Sequence, residues 1–451
     1  MSRFALVGAS LSSAALLVLA GLHGCNRDAV QPGPIIPSTG CTPSDAGPAT
    51  GAKFCDLPGG DAPEIQVPDG FCVHEFTTFP TDQVNGKIVE ARVMRFAPNG
   101  DLFLAAPNYP TPGGAAGGAG AILVLPDDNH DGKMDSQVRY AGSPAPNVSM
   151  PCLVQEGADP ASLACVHGLA FADGYLYYTR SDEVRRFPYK TGDRAAPTPS
   201  GELVGLLGGK ALSDARWTHT MDRAKDGSIY VTRGRFDAAC SVDTMAEGAV
   251  LSFPIAPGTT YPATPTMVAD GFRDPLYIRC QPGCGDCYTN ELSGDGWDSI
   301  GGREKLAFIE PGGHWGYPCC VAKDKPNQGG TAEQCAHLGT DVSVIPLHDT
   351  PFGMDFEQGS FPQPYAFGVF VALHGSFGGW KGTGISWLPT DPTTHKPTGT
   401  PAVFATGWGH GPPMEGRATD VAFAPDGRLF VADDTAGRIF WIAPKTLRAA
   451  K

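Results

Sequence analysis

The chain has 451 residues, including 59 glycines and 42 prolines. Together these make up about 22% of the chain, turn-rich but below the roughly 25–30% that marks low-complexity disorder. With 41% apolar and 18% charged residues, collagen, coiled coil and an intrinsically disordered chain are excluded, and the formal charge of −14 argues against nucleic acid as a partner.

Residues 1–25 read as an export signal: Arg3, an apolar stretch from Phe4 to Leu22, and then Leu22-His-Gly-Cys25. The small-residue-then-Cys ending resembles the lipobox of bacterial lipoproteins, which makes Cys25 a lipidation site. His23 is unusual in such a box, and a plain transmembrane anchor is the competing reading. In both, the body of the protein is exported, periplasmic or on the cell surface, and meets the membrane only through its anchor. Residues 26–60, rich in Pro, Gly, Ser and Thr, read as a tether; 61–446 form the domain and 447–451 a tail.

Of 13 cysteines, twelve follow Cys25, an even number in a compartment that permits disulfides, and at least four bridges are expected. Cys41 and Cys55 could close a small loop. Cys280, Cys284 and Cys287 have a spacing open to a metal site, but export favours disulfides. At least one of Cys319 and Cys320 is expected to bridge locally, near Cys335.

A two-part pattern then repeats six times. Its first part is a hairpin, an apolar strand and a second alternating strand, usually about an Asp-Gly or Asn-Gly turn: Met94–Ala105, Gly168–Thr179, Thr220–Thr232 and Asp420–Ala432, with degenerate copies at Pro275–Asn290 and Gly353–His374. The second part is a short strand further on: Ala121–Pro126, Glu183–Pro188, Gly248–Pro254, Glu304–Pro311, Thr383–Pro389 and Gly437–Pro444. Six such units predict an all-β, six-bladed propeller of four-stranded antiparallel blades with little helix. A two-sheet sandwich would not need the unit six times. In a propeller the site lies where loops from several blades converge, so polar residues just before each first strand are the candidates.

One metal candidate stands on spacing alone. Asp127, Asn129, Asp131 and Asp135 put oxygen-bearing side chains at alternate positions around Gly132, a donor set suited to Ca2+; a plain acidic turn is the alternative.

Val166-His-Gly-Leu-Ala-Phe171, Arg216-Trp-Thr-His219, Phe272-Arg-Asp-Pro275, Gly312-Gly-His-Trp-Gly-Tyr-Pro318, Phe370-Val-Ala-Leu-His-Gly-Ser376 and Gly416-Arg-Ala-Thr-Asp-Val421 running into Asp433-Asp-Thr-Ala-Gly-Arg438 give the chain a family resemblance. From about Pro63 to Pro444 it resembles the soluble quinoprotein sugar dehydrogenases, in particular the sorbosone or aldose dehydrogenase-like branch. The resemblance implies pyrroloquinoline quinone (PQQ) over the channel with a Ca2+, a His that accepts the hydroxyl proton of a sugar or polyol, and cations that stabilise the reduced cofactor. It assigns Arg273, Asp274, His374, Arg417 and His167 to the cofactor, and the loop with Glu291 and Asp295 to a catalytic Ca2+. It does not identify the electron acceptor.

Four departures stand out. The position of the family's base falls on Arg216, with His219 three residues later; Thr419 replaces a second arginine, Asp274 an Asn, and His374 a Lys. An arginine stays protonated and cannot act as a base, so His219 takes that role and Arg216 pairs with the cofactor. His219 read as a packing residue leads instead to a propeller without turnover that binds a carbohydrate or a protein. A Ca2+-dependent lactonase is a third reading, but the starts of the units supply no central cage of Glu, Asp and Asn.

Overall fold

A computed structural model describes residues 53–62, 64–79, 90–107, 120–142, 161, 163, 165–180, 183–208, 218–235, 239–240, 248–375, 384–408 and 416–445. Cys25, Cys41, Arg216, the signal segment and the tail lie outside these residues. The chain is a six-bladed β-propeller. Blade 1 is Val93–Phe96, Leu102–Ala106, Ala121–Leu125 and Val138–Ala141; blade 2 is Val166–Ala172, Tyr175–Arg180, Glu183–Pro188 and Glu202–Leu206; blade 3 is Met221–Arg223, Ile229–Arg233, Ala249–Phe253 and Thr266–Asp270. Blade 4 is Asp274–Cys280, Cys287–Leu292, Glu304–Phe308 and Asp341–Ile345, and blade 5 is Pro351–Phe356, Val369–Leu373, Gly384–Leu388 and Ala402–Thr406. Blade 6 takes Ala418–Phe423, Leu429–Asp433 and Arg438–Pro444 from the end of the chain and completes itself with Phe71–Thr78 from its start, paired antiparallel to Arg438–Pro444.

The six hairpins and six following strands read from the sequence are the first three strands of the blades. Their turns need a residue at positive φ, which Gly227 (φ 83°) and Gly427 (φ 93°) adopt without steric cost. Second strands such as Leu102–Ala106 are buried at every position, because both faces of each blade pack against neighbouring blades. Phe103, Tyr140, Tyr178 and Phe187 fill the space between blades 1 and 2, and Leu104, Leu123, Phe430 and Trp441 that between blades 6 and 1. The one α-helix among the described residues is a single turn, Ala332–Cys335.

Neighbouring first strands share no β-ladder, so buried side chains bond the backbone of the next blade. Asp420 accepts the Met94 N–H at 2.7 Å, Asp355 that of Phe423 at 2.8 Å, and Asp222 that of Cys280 at 2.9 Å. Thr220 accepts from Ile278 and donates to the Leu276 carbonyl. Each of these amides would otherwise be an unpaired buried donor.

Disulfides join Cys55–Cys72, Cys240–Cys319, Cys280–Cys287 and Cys320–Cys335, and Cys165 and Cys284 are disulfide-bonded as well. Cys280 and Cys287 face each other directly across the blade 4 hairpin, which is why they bridge rather than hold a metal. The expected Cys41–Cys55 loop is corrected. Phe54 packs edge-on against Trp441, which seats residues 54–56 beside the closing strand and brings Cys55 to Cys72. Residues 53–60, read as the end of the tether, are thereby held on blade 6.

The Cys55–Cys72 bridge closes a segment 17 residues apart. Replacing both cysteines by Ser should cost about 3 kcal/mol and lower the calorimetric melting temperature by several degrees. An unchanged melting temperature would show that the bridge adds nothing to the closure of the ring.

Candidate active site at the channel mouth

The six first strands run the same way along the channel, so the residues that precede them meet at one end. These include Arg92, His219, Arg273, Thr350 and Arg417. The second strand of each hairpin returns to the same end, which brings in His374, just after Val369–Leu373, and Asp434, just after Leu429–Asp433.

His374 and Asp434 form the centre of a buried cluster. His374 Nε2 lies 3.1 and 3.3 Å from the Asp434 oxygens and 3.4 Å from Arg417 Nη1. The carboxylate is closer and needs a donor, so this nitrogen carries the proton and donates to Asp434. Arg92 Nη1 stands 3.2 Å from the same carboxylate. Thr419 Oγ1 accepts the Asp434 N–H at 3.3 Å. The His374 ring stacks on Phe352 at 4.0 Å with an interplanar angle of 4°, and the Arg92 guanidinium also lies over the Phe352 ring, 5.6 Å from its centroid. Tyr277 donates its hydroxyl to the Arg92 carbonyl at 2.8 Å and meets the His167 ring edge-on.

All three histidines are buried and neutral. Burial pushes His374 down to about 4, and the guanidiniums of Arg417 and Arg92 add to this; together they outweigh Asp434, which favours the charged ring. Asp434 is buried too, yet His374, Arg92 and Arg417 hold it well below the usual carboxylate range. Burial lowers His219 to about 3, helped by Arg233, and lowers His167 well below the ordinary value, helped by Arg92 and His219. His219 makes no ring hydrogen bond of good geometry among the described residues, although the Thr232 backbone lies close to it.

The remaining candidates sit on blade 4, apart from this cluster. Arg273 donates to the Ser293 carbonyl and to Asp295, each at 2.8 Å, while its own N–H goes to Glu291. Glu291 also pairs with buried Lys305 at 3.4 Å. Glu291 and Asp295 therefore serve as partners of cations, and no group of three or more His, Cys, Asp or Glu among the described residues is arranged to hold a metal. Asp274 is buried at the start of its strand.

In the acidic loop, Asp135 accepts the N–H groups of Asp128 and Asn129, Asn129 Oδ1 accepts that of Asp131, and Asp127 accepts that of Gly132. Asp127 Oδ1 is buried without a hydrogen bond. Arg428 and Trp441 hold the loop against blade 6: Arg428 lies 3.6 Å from Asp127, and the indole N–H donates to the Gly132 carbonyl at 2.8 Å.

Sequence reading did not single out Arg92, Tyr277, Phe352 or Asp434. Arg92 was within reach, because it directly precedes a first strand just as Arg417 does. Asp434 lies inside the quoted Asp433-Asp-Thr motif. Phe352 and Tyr277 carry no polar signal of their own at those positions that sets them apart from core residues.

No protein-family model and no curated protein matches the chain. Similar solved structures include a calcium structure of a Trichoderma reesei carbohydrate-active enzyme of family AA12, with a TM-score of 0.62 and 17% identity over 88% of this chain and 100% of that one. The holo PQQ domain of pyranose dehydrogenase from Coprinopsis cinerea has a TM-score of 0.61 at 17% identity, covering 86% of this chain and 99% of that one. The apo soluble aldose sugar dehydrogenase of Escherichia coli has a TM-score of 0.54 at 13% identity, covering 83% and 99%. The likeness is one of fold, and that fold is the one expected of the family the sequence resembles.

The buried histidines have a measurable consequence. Between pH 6.5 and about 3, His219 binds a proton when unfolded but not when folded, so it destabilises the fold as pH falls, by about 1.4 kcal/mol per pH unit. His219→Gln lacks this term. Urea unfolding at pH 7, 6 and 5 should show wild-type stability falling relative to the variant; parallel curves would mean that His219 is not held neutral.

Proposed function

We propose that this protein oxidises a sugar or a related alcohol or aldehyde outside the cytoplasm, using PQQ. One observation carries the reading: three of the five residues assigned to the cofactor by resemblance gather at one end of the channel, where Arg417 lies 3.4 Å from His374, His374 shares Asp434 with Arg92, and His167 meets Tyr277, whose hydroxyl bonds the Arg92 carbonyl. The donor set suits a flat tricarboxylate quinone. Guanidiniums such as Arg417 can grip carboxylates through two parallel bonds, and neutral imidazoles can accept a proton. PQQ, when bound, supplies a two-electron acceptor for hydride.

The chain's own residues would do the rest. Arg92 and Arg417 hold the anionic edge of the site, Asp434 fixes the His374 ring, and an imidazole accepts the hydroxyl proton. From its sequence position that imidazole is His219, with Arg216, three residues earlier in the chain, as a cofactor partner. Glu291 and Asp295 do not fit a catalytic Ca2+ as they stand, because each is already paired with a cation, Lys305 and Arg273, and no third acid among the described residues is grouped with them. A structural Ca2+ at the Asp127–Asp135 loop rests on the spacing of its oxygen donors and on the buried Asp127 Oδ1, which has no hydrogen bond; as the loop stands, no three of its acids are grouped to hold a metal. The disulfides suit an oxidising compartment, in keeping with an export signal and lipidation at Cys25. The non-catalytic reading draws on the Arg at the family's base position.

Titration with PQQ should give saturable binding and sugar-dependent reduction of an artificial acceptor. His219→Ala should lower turnover roughly a hundredfold while PQQ still binds. Protein that binds no PQQ would leave the non-catalytic propeller standing. Separately, Ca2+ should raise the melting temperature of the wild type but not of Asp127→Asn; equal shifts would remove the loop as its site.

A further inference from the structure

Glu304, the first residue of the third strand of blade 4, lies outside the cluster yet touches what holds it. It is buried, and its Oε2 accepts the Thr350 N–H at 2.5 Å. Thr350 ends the crossing from blade 4 to blade 5, and its backbone is left-handed, with φ 54°; His348, two residues earlier, has φ 74°. A β-branched residue at positive φ is a strained outlier that persists only when its surroundings enforce it, and such strain gathers at functional sites. The turn is tied in turn to the cluster. Its Thr350 carbonyl accepts the His374 N–H at 2.9 Å, its Asp349 carbonyl accepts the Gly375 N–H at 3.0 Å, and two residues on stands Phe352, on which the His374 ring stacks.

We propose that Glu304 is a positioning residue of the channel mouth: by holding the Thr350 amide it keeps the 348–350 turn, with His348 and Thr350 left-handed, in its conformation and thereby sets where His374 and Phe352 stand. The role rests on reading the mouth as the active site. The charged groups facing Glu304 are Asp349 and Arg273, and burial together with Asp349 raises its carboxyl to about 8. The group is therefore an uncharged acceptor at neutral pH, a part that a Gln can play. Glycine at position 350 would adopt the same backbone without strain and would not need the clamp.

The test uses the full-length protein with Glu304→Ala, Glu304→Gln, Thr350→Gly and the double variant Glu304→Ala/Thr350→Gly. Three quantities are measured: deuterium exchange of the 346–352 segment, PQQ affinity and kcat. Glu304→Ala should speed exchange at least tenfold and weaken both PQQ affinity and kcat at least tenfold. Glu304→Gln should stay within about twofold of wild type, and Thr350→Gly should restore the Ala variant. Should Glu304→Ala not fold, the comparison of Thr350→Gly with the double variant decides, equal behaviour supporting the clamp and a further tenfold loss overturning it. Unchanged exchange in Glu304→Ala would overturn the proposal, and so would fast exchange with PQQ affinity and kcat intact. Wild-type protein that binds no PQQ would instead overturn the functional reading, and the positioning role with it.

Discussion

A ring of six sheets has no shared ladder at its centre, and the first strand of each blade turns an edge toward the channel. Its amides must be satisfied in a place where burial is nearly complete. The chain meets this need with acids and hydroxyls that reach across from the neighbouring blade: Asp420 to Met94, Asp355 to Phe423, Asp222 to Cys280 and Thr220 to Ile278. The cost is visible in the acids themselves. Burial pushes Asp420 well above the usual carboxylate range and Asp355 to about 6 despite Arg95 nearby. These bonds fix how each first strand sits relative to the next, and so fix which residues meet at its start.

The mouth uses the same chemistry with the opposite sign. Asp433 and Asp434 are adjacent, yet burial raises Asp433 to about 6 while the cations around Asp434 hold it low. Asp433 accepts the N–H groups of Arg417, Thr435 and Ala436 and shapes the turn. Asp434 faces Arg92, Arg417 and His374 and stays anionic. One residue builds the backbone and the next organises the side chains. Glu304 extends the first kind of work to blade 5, where a strained turn would otherwise relax and carry His374 with it.

Much of the fold was legible because each blade needs its own hairpin, and hairpins leave a local mark: alternating apolar residues around turns such as Asp226-Gly227 and Asp426-Gly427. The closing strand Phe71–Thr78 was not legible, since its partner lies at the far end of the chain and nothing local marks the pairing. The Cys55–Cys72 bridge was missed for the same reason, being set by where Phe54 packs. In the site, His167, His374 and Arg417 could be read from motifs, whereas Asp434 and Arg92 matter through contacts that only the closed ring creates. Glu291 and Asp295 have the composition of a calcium loop, but composition cannot reveal that Lys305 and Arg273 stand beside them as ion-pair partners.

The most direct measurement is a crystal structure of the protein grown with PQQ. It should show the quinone at the mouth of the channel, its carboxylates within hydrogen-bond distance of Arg417 or Arg92 and its ring beside His374. PQQ bound elsewhere on the propeller, or a mouth that stays free of it at saturating concentration, would contradict the account.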